Sequence, residues 1–283
     1  MKNRWFLNIA LAALIAALVL LAIYKPGTKP GPTGTPLTSL TAPDIQRIRL
    51  LRPQQPPMVL EKNAETWRLT GPRAARANEA RLNELVQLAA TPVPTRFSVA
   101  PTELVKYGLD NSLATLFLNE HEIRFGGMHP LENQIYVWHD GQVALLPVAV
   151  LRAVSAPFND FLNAGLLEEN TKPLAFRFPS FSLKQNEQGA WVRSPELKEL
   201  ASDAINRFVN EWRYARALSV APYSGKPVKE RVTITIADAD KTRTLELGVL
   251  THTPEFIVYR KDENLEYHFP ADIGTRLMQI KPE

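Results

Sequence analysis

A helical stripe at Leu82, Leu85, Val86 and Ala89 returns 123 positions later as Ile205, Phe208, Val209 and Trp212. Both sets keep the i, i+3, i+4, i+7 spacing of a helix that lays one apolar face on a core. Trp67 and Pro72 stand ahead of the first stripe, as Trp191 and Pro195 stand ahead of the second. Asn78 and Ser202 occupy N-cap positions. Downstream, Ile135 to His139, a turn at Asp140-Gly141 and a strand ending at Pro147 spell a tight hairpin. A second hairpin, 257–260 and 265–270 around Asp262-Glu263-Asn264, ends at Pro270, again 123 positions on. A short helical run follows each proline, with Val150 and Val154 in one and Ile273 and Leu277 in the other. Phase agreement at both ends of the pattern predicts two tandem homologous units.

Each unit reads as two strands, a helix, several antiparallel strands and a short helix. Expected strands are 45–51, 58–61, 113–118 and 123–125 in the first, and 174–178, 181–184, 232–236 and 244–247 in the second. Helices are clustered rather than alternating with strands, which predicts an α+β fold with antiparallel sheets. The expected division is an anchor at 1–25, a stalk at 26–43, a first unit at 44–168 and a second at 169–283.

Residues 5–24 carry no charge and are rich in Leu, Ala, Ile and Val. At about 1.5 Å per residue they span a hydrocarbon core as a helix, with Trp5 and Tyr24 at the two interfaces. A cleaved secretory signal would need small residues next, but Ala22-Ile23-Tyr24-Lys25-Pro26 follows, so the expectation is a retained signal-anchor. Lys2 and Arg4 oppose Lys25 and Lys29, and the short leading tail favours the body outside, in the periplasm of a bacterium whose inner membrane the chain crosses once. Residues 26–43 contain Pro26, Pro30, Pro32, Pro36 and Pro43 and no apolar face, which reads as a semi-extended stalk.

The motifs Trp67-Arg68-Leu69-Thr70-Gly71-Pro72, Tyr107-Gly108-Leu109-Asp110, Phe125-Gly126-Gly127 and the Tyr136 hairpin, in that order, resemble the domain of unknown function 4340 family. The resemblance covers most of the first unit and, more loosely, the second. It implies a membrane-anchored bacterial protein, and, because some members are encoded beside gliding-motility-type ABC transporters, an accessory extracytoplasmic role. That family has no established reaction, so no catalytic residue is carried over. Asn111-Ser112 stands where the family often has a proline. Read physically, Gly108 suits the left-handed C′ position of a short helix begun at Thr102, and Asp110 suits the following turn. Trp67 and Trp191 read as paired core anchors.

Reactive constellations are scarce. The chain has no cysteine, which removes disulfides, thiolate metal sites and thiol nucleophiles. His121, His129 and His139 fall close together but lack the i, i+4 spacing of a helix-borne zinc pair, so no metal or cofactor is expected. Ser224-Gly225-Lys226-Pro227 lacks the earlier glycine and the hydroxyl of a phosphate loop, and Gly126-Gly127 lacks a dinucleotide fingerprint. The paired acids Glu168-Glu169 and Asp262-Glu263, and the arginines at 73, 76 and 81, read as solvated turns and a solvated helix start. Net charge is +4 overall, and +1 once Lys2, Arg4 and Lys25 are set aside, which disfavours nucleic acid. The expectation is a non-catalytic, membrane-anchored protein-interaction or accessory module of an envelope or ABC-transport system. The alternatives are a small-ligand or glycan binder using a groove between the units, lined by Trp138, Trp212 or Tyr214, and an envelope hydrolase.

Overall fold

The computed structural model describes residues 2–24, 34–169, 171–197, 200–238 and 241–281, with backbone alone at 2–4, 7, 20–24 and 238. Helix α1 (Lys2–Tyr24) has neither glycine nor proline within it. Its described side chains, at 5, 6 and 8–19, are all exposed. Among the described residues no helix is long and apolar enough to cross a membrane.

The first half of the body begins with β1 (Thr35–Pro36), β2 (Arg47–Leu51), β3 (Met58–Asn63), β4 (Thr66–Gly71) and β5 (Ala75–Arg76), which lead into α2 (Glu79–Gln87). β6 (Pro92–Val93), β7 (Arg96–Ser98), β8 (Ala114–Leu118), β9 (His121–Met128), β10 (Gln134–His139) and β11 (Gln142–Pro147) follow, then α3 (Leu151–Ser155). The second half runs β12 (Lys172–Arg177), β13 (Ser182–Gln185), β14 (Trp191–Ser194), α4 (Ser202–Arg213), β15 (Ser219–Pro222), β16 (Glu230–Asp238), β17 (Lys241–Thr251), β18 (Glu255–Arg260), β19 (Leu265–Pro270) and α5 (Ala271–Met278).

One sheet has the order β5-β4-β3-β2-β8-β9-β10-β11-β7 and the other β14-β13-β12-β16-β17-β18-β19-β15. All of their pairings are antiparallel. Set the two-residue β5 aside, and every strand of the first sheet has a counterpart in the same place in the second. Alternation puts one face of each strand inward: Ile48 and Leu50 on β2 meet Ala114, Leu116 and Leu118 on β8 in one core. α2 buries Leu82, Leu85 and Val86, and α4 buries Ile205, Phe208, Val209 and Trp212. Ala89 is buried too, but in a 3-10 turn over Leu88–Ala90. Asn78 is the N-cap of α2 and turns its amide onto Asp160 O at 2.9 Å, whereas Ala201 rather than Ser202 caps α4.

The expected stalk requires correction. Thr35–Pro36 pairs with Pro92–Val93, and the amides of Leu37 and Thr38 donate to Thr91 O and Ala89 O, each at 2.9 Å. Leu37 and Thr38 are buried. A proline- and threonine-rich composition does not prevent this, because docking along an edge uses the backbone and needs only one apolar anchor. The part of the proposed stalk at 26–33 lies outside the described residues.

The connection between the halves is likewise not a solvated linker. Leu162 bridges Ala77 of the first half, and Gly165 bridges Arg216 of the second. Leu166 N–H donates to Ala215 O and Ala217 N–H to Ala164 O, both at 2.9 Å. Leu166 and Leu167 are buried, and one continuous cluster of apolar side chains runs through both halves. This connector therefore leads into the second half along the backbone that follows α4, as Thr35–Thr38 leads into the first half along the backbone that follows α2.

Candidate functional site

The residues singled out by sequence do not converge on one place. Trp67 and Trp191 are half-buried and pack against the core, Trp191 with its ring 5.7 Å from Phe176. Gly108 ends a 3-10 helix over Pro101–Tyr107 at φ +65, the left-handed region glycine allows. This turn lies on β9: a Cβ at Gly126 would stand 2.5 Å from Tyr107 O and 2.8 Å from the buried Leu109 side chain. The Gly-Gly pair is thus a close-approach device between strand and turn. Asp110 is exposed and accepts from Asn111 at 2.9 Å.

Trp138, Trp212 and Tyr214 do not meet. Trp138 is half-buried on β10 under the Arg124 guanidinium, 4.7 Å from the ring. Trp212 is fully buried among Phe176 and Phe178, and its indole N–H donates to Leu277 O at 2.7 Å. It belongs to the core stripe of α4 and cannot line a groove. Tyr214 is exposed beside Arg213 at the end of that helix.

What the fold does bring together is a buried ionic cluster at the junction, built from groups that sequence reading placed in solvent. Arg76 projects from β5, the extra edge strand of the first half, into the second. Its Nε meets Glu263 Oε1 at 2.6 Å, and its Nη2 donates to Gly165 O at 2.6 Å and Tyr267 Oη at 2.8 Å. Nη1 donates to Leu167 O at 3.2 Å. Tyr267 in turn donates to Glu263. Arg260 donates to Leu166 O at 2.8 Å, to Glu168 at 2.6 Å and to Asp262 at 2.9 Å. Arg243 reaches the same Glu168 oxygen at 2.6 Å. Arg76, Arg260 and Glu263 are buried, which corrects the solvated reading of Arg76, Glu168 and Glu263. Arg81 pairs instead with Glu84 and Asp160, both at 3.1 Å, so the expected basic cluster disperses.

Burial pushes the Glu168 carboxyl up, but the Arg260, Arg76 and Arg243 guanidiniums outweigh it and hold the group at about 2. Burial and the neighbouring Glu263 push the Tyr267 phenol up, so it stays a neutral donor. A carboxyl held below its unfolded value stabilises the fold above the unfolded pKa, and that contribution fades as pH falls towards the folded one. Between pH 6 and pH 3 the native chain should therefore lose about 2 kcal/mol more stability than Glu168→Gln. Urea melts at the two pH values measure this; parallel losses would refute it.

The first half carries an open polar cavity of about 660 Å³ at the corresponding end of its sheet. Thr35 to Ser39, the start of β9 and the tip of the β10–β11 hairpin line it. The His121 and His139 rings are 5.8 Å apart there, and His139 Nδ1 lies 2.9 Å from Glu122 O. Among the described residues no group of three or more His, Asp or Glu is placed to hold a metal ion. The Ser224 loop is pinned by its own amide and hydroxyl to Glu266, at 2.8 and 2.5 Å. Sequence periodicity could not reveal the ionic cluster, since its members come from an edge strand, a connector and a hairpin turn.

No curated protein and no solved structure matches the chain. A family profile matches residues 67–233, from β4 of the first half to β16 of the second, and so spans the connector. With more than half of its length matched, the chain belongs to the family described as domain of unknown function (DUF4340).

Proposed function

We propose that this protein is a membrane-anchored, extracytoplasmic head that works by binding another protein, as an accessory of an envelope or ABC-transport system. In this reading residues 5–24 form a single inner-membrane span, the body lies in the periplasm, and its halves are homologous α+β copies. The observation that carries the reading is the junction cluster. Arg76 of the first half is buried against Glu263, Tyr267 and the connector carbonyls of the second, which fastens the halves into one double surface. The exposed apolar side chains of α1 and the uncharged run at 5–24 support the anchor. The groove reading has less support, because Trp138, Trp212 and Tyr214 do not converge.

Two measurements test this. The full chain should stay with the membrane fraction through alkaline extraction, while a chain starting at Gly34 should be released, with at least tenfold more in the supernatant. Crosslinking in intact membranes, followed by identification, should recover one protein reproducibly. A full chain released like the truncated one would refute the anchor, and no reproducible partner would refute the binding role.

A further inference from the structure

Four large apolar side chains stand exposed at one end of the first sheet. Leu113 precedes β8, Met128 closes β9, Leu131 lies in the β9–β10 loop, and Val105 belongs to the 3-10 helix packed on β9. The lead-in at 35–38 docks at the opposite end, beside His139. Leu131 is the most exposed of the four, at 90%, yet its loop is fixed. His129 N–H donates to Gln134 O and Gln134 N–H to Glu132 O, both at 2.8 Å. His129 Nδ1 accepts from the amides of Leu131 and Glu132 at 3.3 and 3.2 Å, and its ring rests 5.7 Å from that of Tyr136. The leucine is held outward on a preformed support, so little ordering cost remains for whatever covers it.

A socket lies beside this knob. Gln134, one residue past the loop, borders a cleft of about 460 Å³ whose walls include Leu88, Pro94, Leu145, Pro147, Val150 and Ala153. The second half closes the same place: Arg276 of α5 meets Glu211 of α4 at 3.4 Å, and Trp212 donates to Leu277 O. At the matching positions, 123 residues earlier, the first half has Ala153, Leu88 and Ala89, which cannot bridge the helices, so its cleft stays open and apolar. Two charges line it. Glu84 is taken up by Arg81 at 3.1 Å, whereas Arg152 has no ionic partner among the described residues. Neither has Glu132, the residue that follows the exposed leucine.

We propose that the chain forms a twofold dimer in which Leu131 of each copy enters the cleft of the other, and Glu132 meets Arg152 of that copy. The occupant is a second copy because knob and socket stand side by side on one surface. A twofold axis between them makes both contacts at once and closes the assembly. The charges agree with this, since the unpaired acid travels with the knob and the unpaired base lines the socket. The dimer goes beyond the accessory role proposed above and does not depend on it.

The test uses two differently tagged full-length copies, one carrying Leu131→Cys and the other Ala149→Cys in the cleft, co-expressed and oxidised in membranes. The chain has no cysteine of its own, so any disulfide between copies comes from these two positions. The mixed dimer should form at least tenfold more than when Glu120→Cys, at the far end of the sheet, replaces Leu131→Cys. In detergent, sedimentation of the unmodified full-length chain should show a dimer, and Leu131→Asp should raise its Kd at least tenfold. An unchanged urea melt checks that this exposed substitution leaves each copy folded. Glu132→Arg and Arg152→Glu should each weaken the dimer about fivefold, and together should restore it. A monomer at every concentration, a mixed disulfide no more abundant than the control, a dimer indifferent to Leu131→Asp, or charge reversals that do not rescue one another would overturn the proposal. A monomeric chain that still captures one protein in membranes would keep the accessory reading and remove only the dimer.

Discussion

Replacing Arg76 with alanine should lower the unfolding free energy by about 3–5 kcal/mol. The loss comes less from the missing attraction than from what stays behind. Glu263 would be left buried without its guanidinium, and the carbonyls of Gly165 and Leu167 would lose their donor. Lysine should recover little of this, because a single ammonium cannot reach a carboxylate, a phenol and two carbonyls at once. Arg76→Met with Glu263→Gln should cost less than Arg76→Ala, since no unpaired charge remains. Urea denaturation at neutral pH measures all three variants. A loss under about 1 kcal/mol for Arg76→Ala would mean that water replaces the guanidinium freely, and the junction would not be a lock.

Trp212→Ala should be comparably damaging, at about 3–5 kcal/mol. The indole is fully buried, sits among Phe176 and Phe178, and binds the last turn of α5 through Leu277 O. Trp212→Phe keeps much of the packing and loses the hydrogen bond, so about 1–3 kcal/mol is expected. Urea midpoints for the pair separate the two contributions. If phenylalanine costs as much as alanine, the tie to α5 dominates; if alanine costs little, this stripe is not what holds α4.

Much of the fold could be read from sequence because it rests on periodicity. The stripes at 82, 85, 86, 89 and at 205, 208, 209, 212 are all buried, and the Asp140-Gly141 turn has both residues at positive φ. The same stripe already placed Trp212 in the core, so expecting it in a groove set one reading of that residue against another. The short strands β1, β5, β6, β7 and β15 left no such mark. Two to four residues are too few to show alternation, and edge pairing needs little from side chains. The ionic cluster was illegible for a different reason. Arg76, Glu168, Arg243, Arg260 and Glu263 look like ordinary surface charges in a linear sequence, and only the approach of the connector and of β5 to the far hairpin brings them together.

The docked lead-in also shortens the leash. With Thr35 already fastened to the body, ten residues, 25–34, separate it from the apolar helix, against the eighteen that composition alone would assign to a stalk. Fully extended, ten residues reach about 35 Å. In the anchored form proposed above, a head on so short a lead would sweep only a thin layer next to the bilayer, and the partner proposed for it would be another resident of that surface, met by lateral drift.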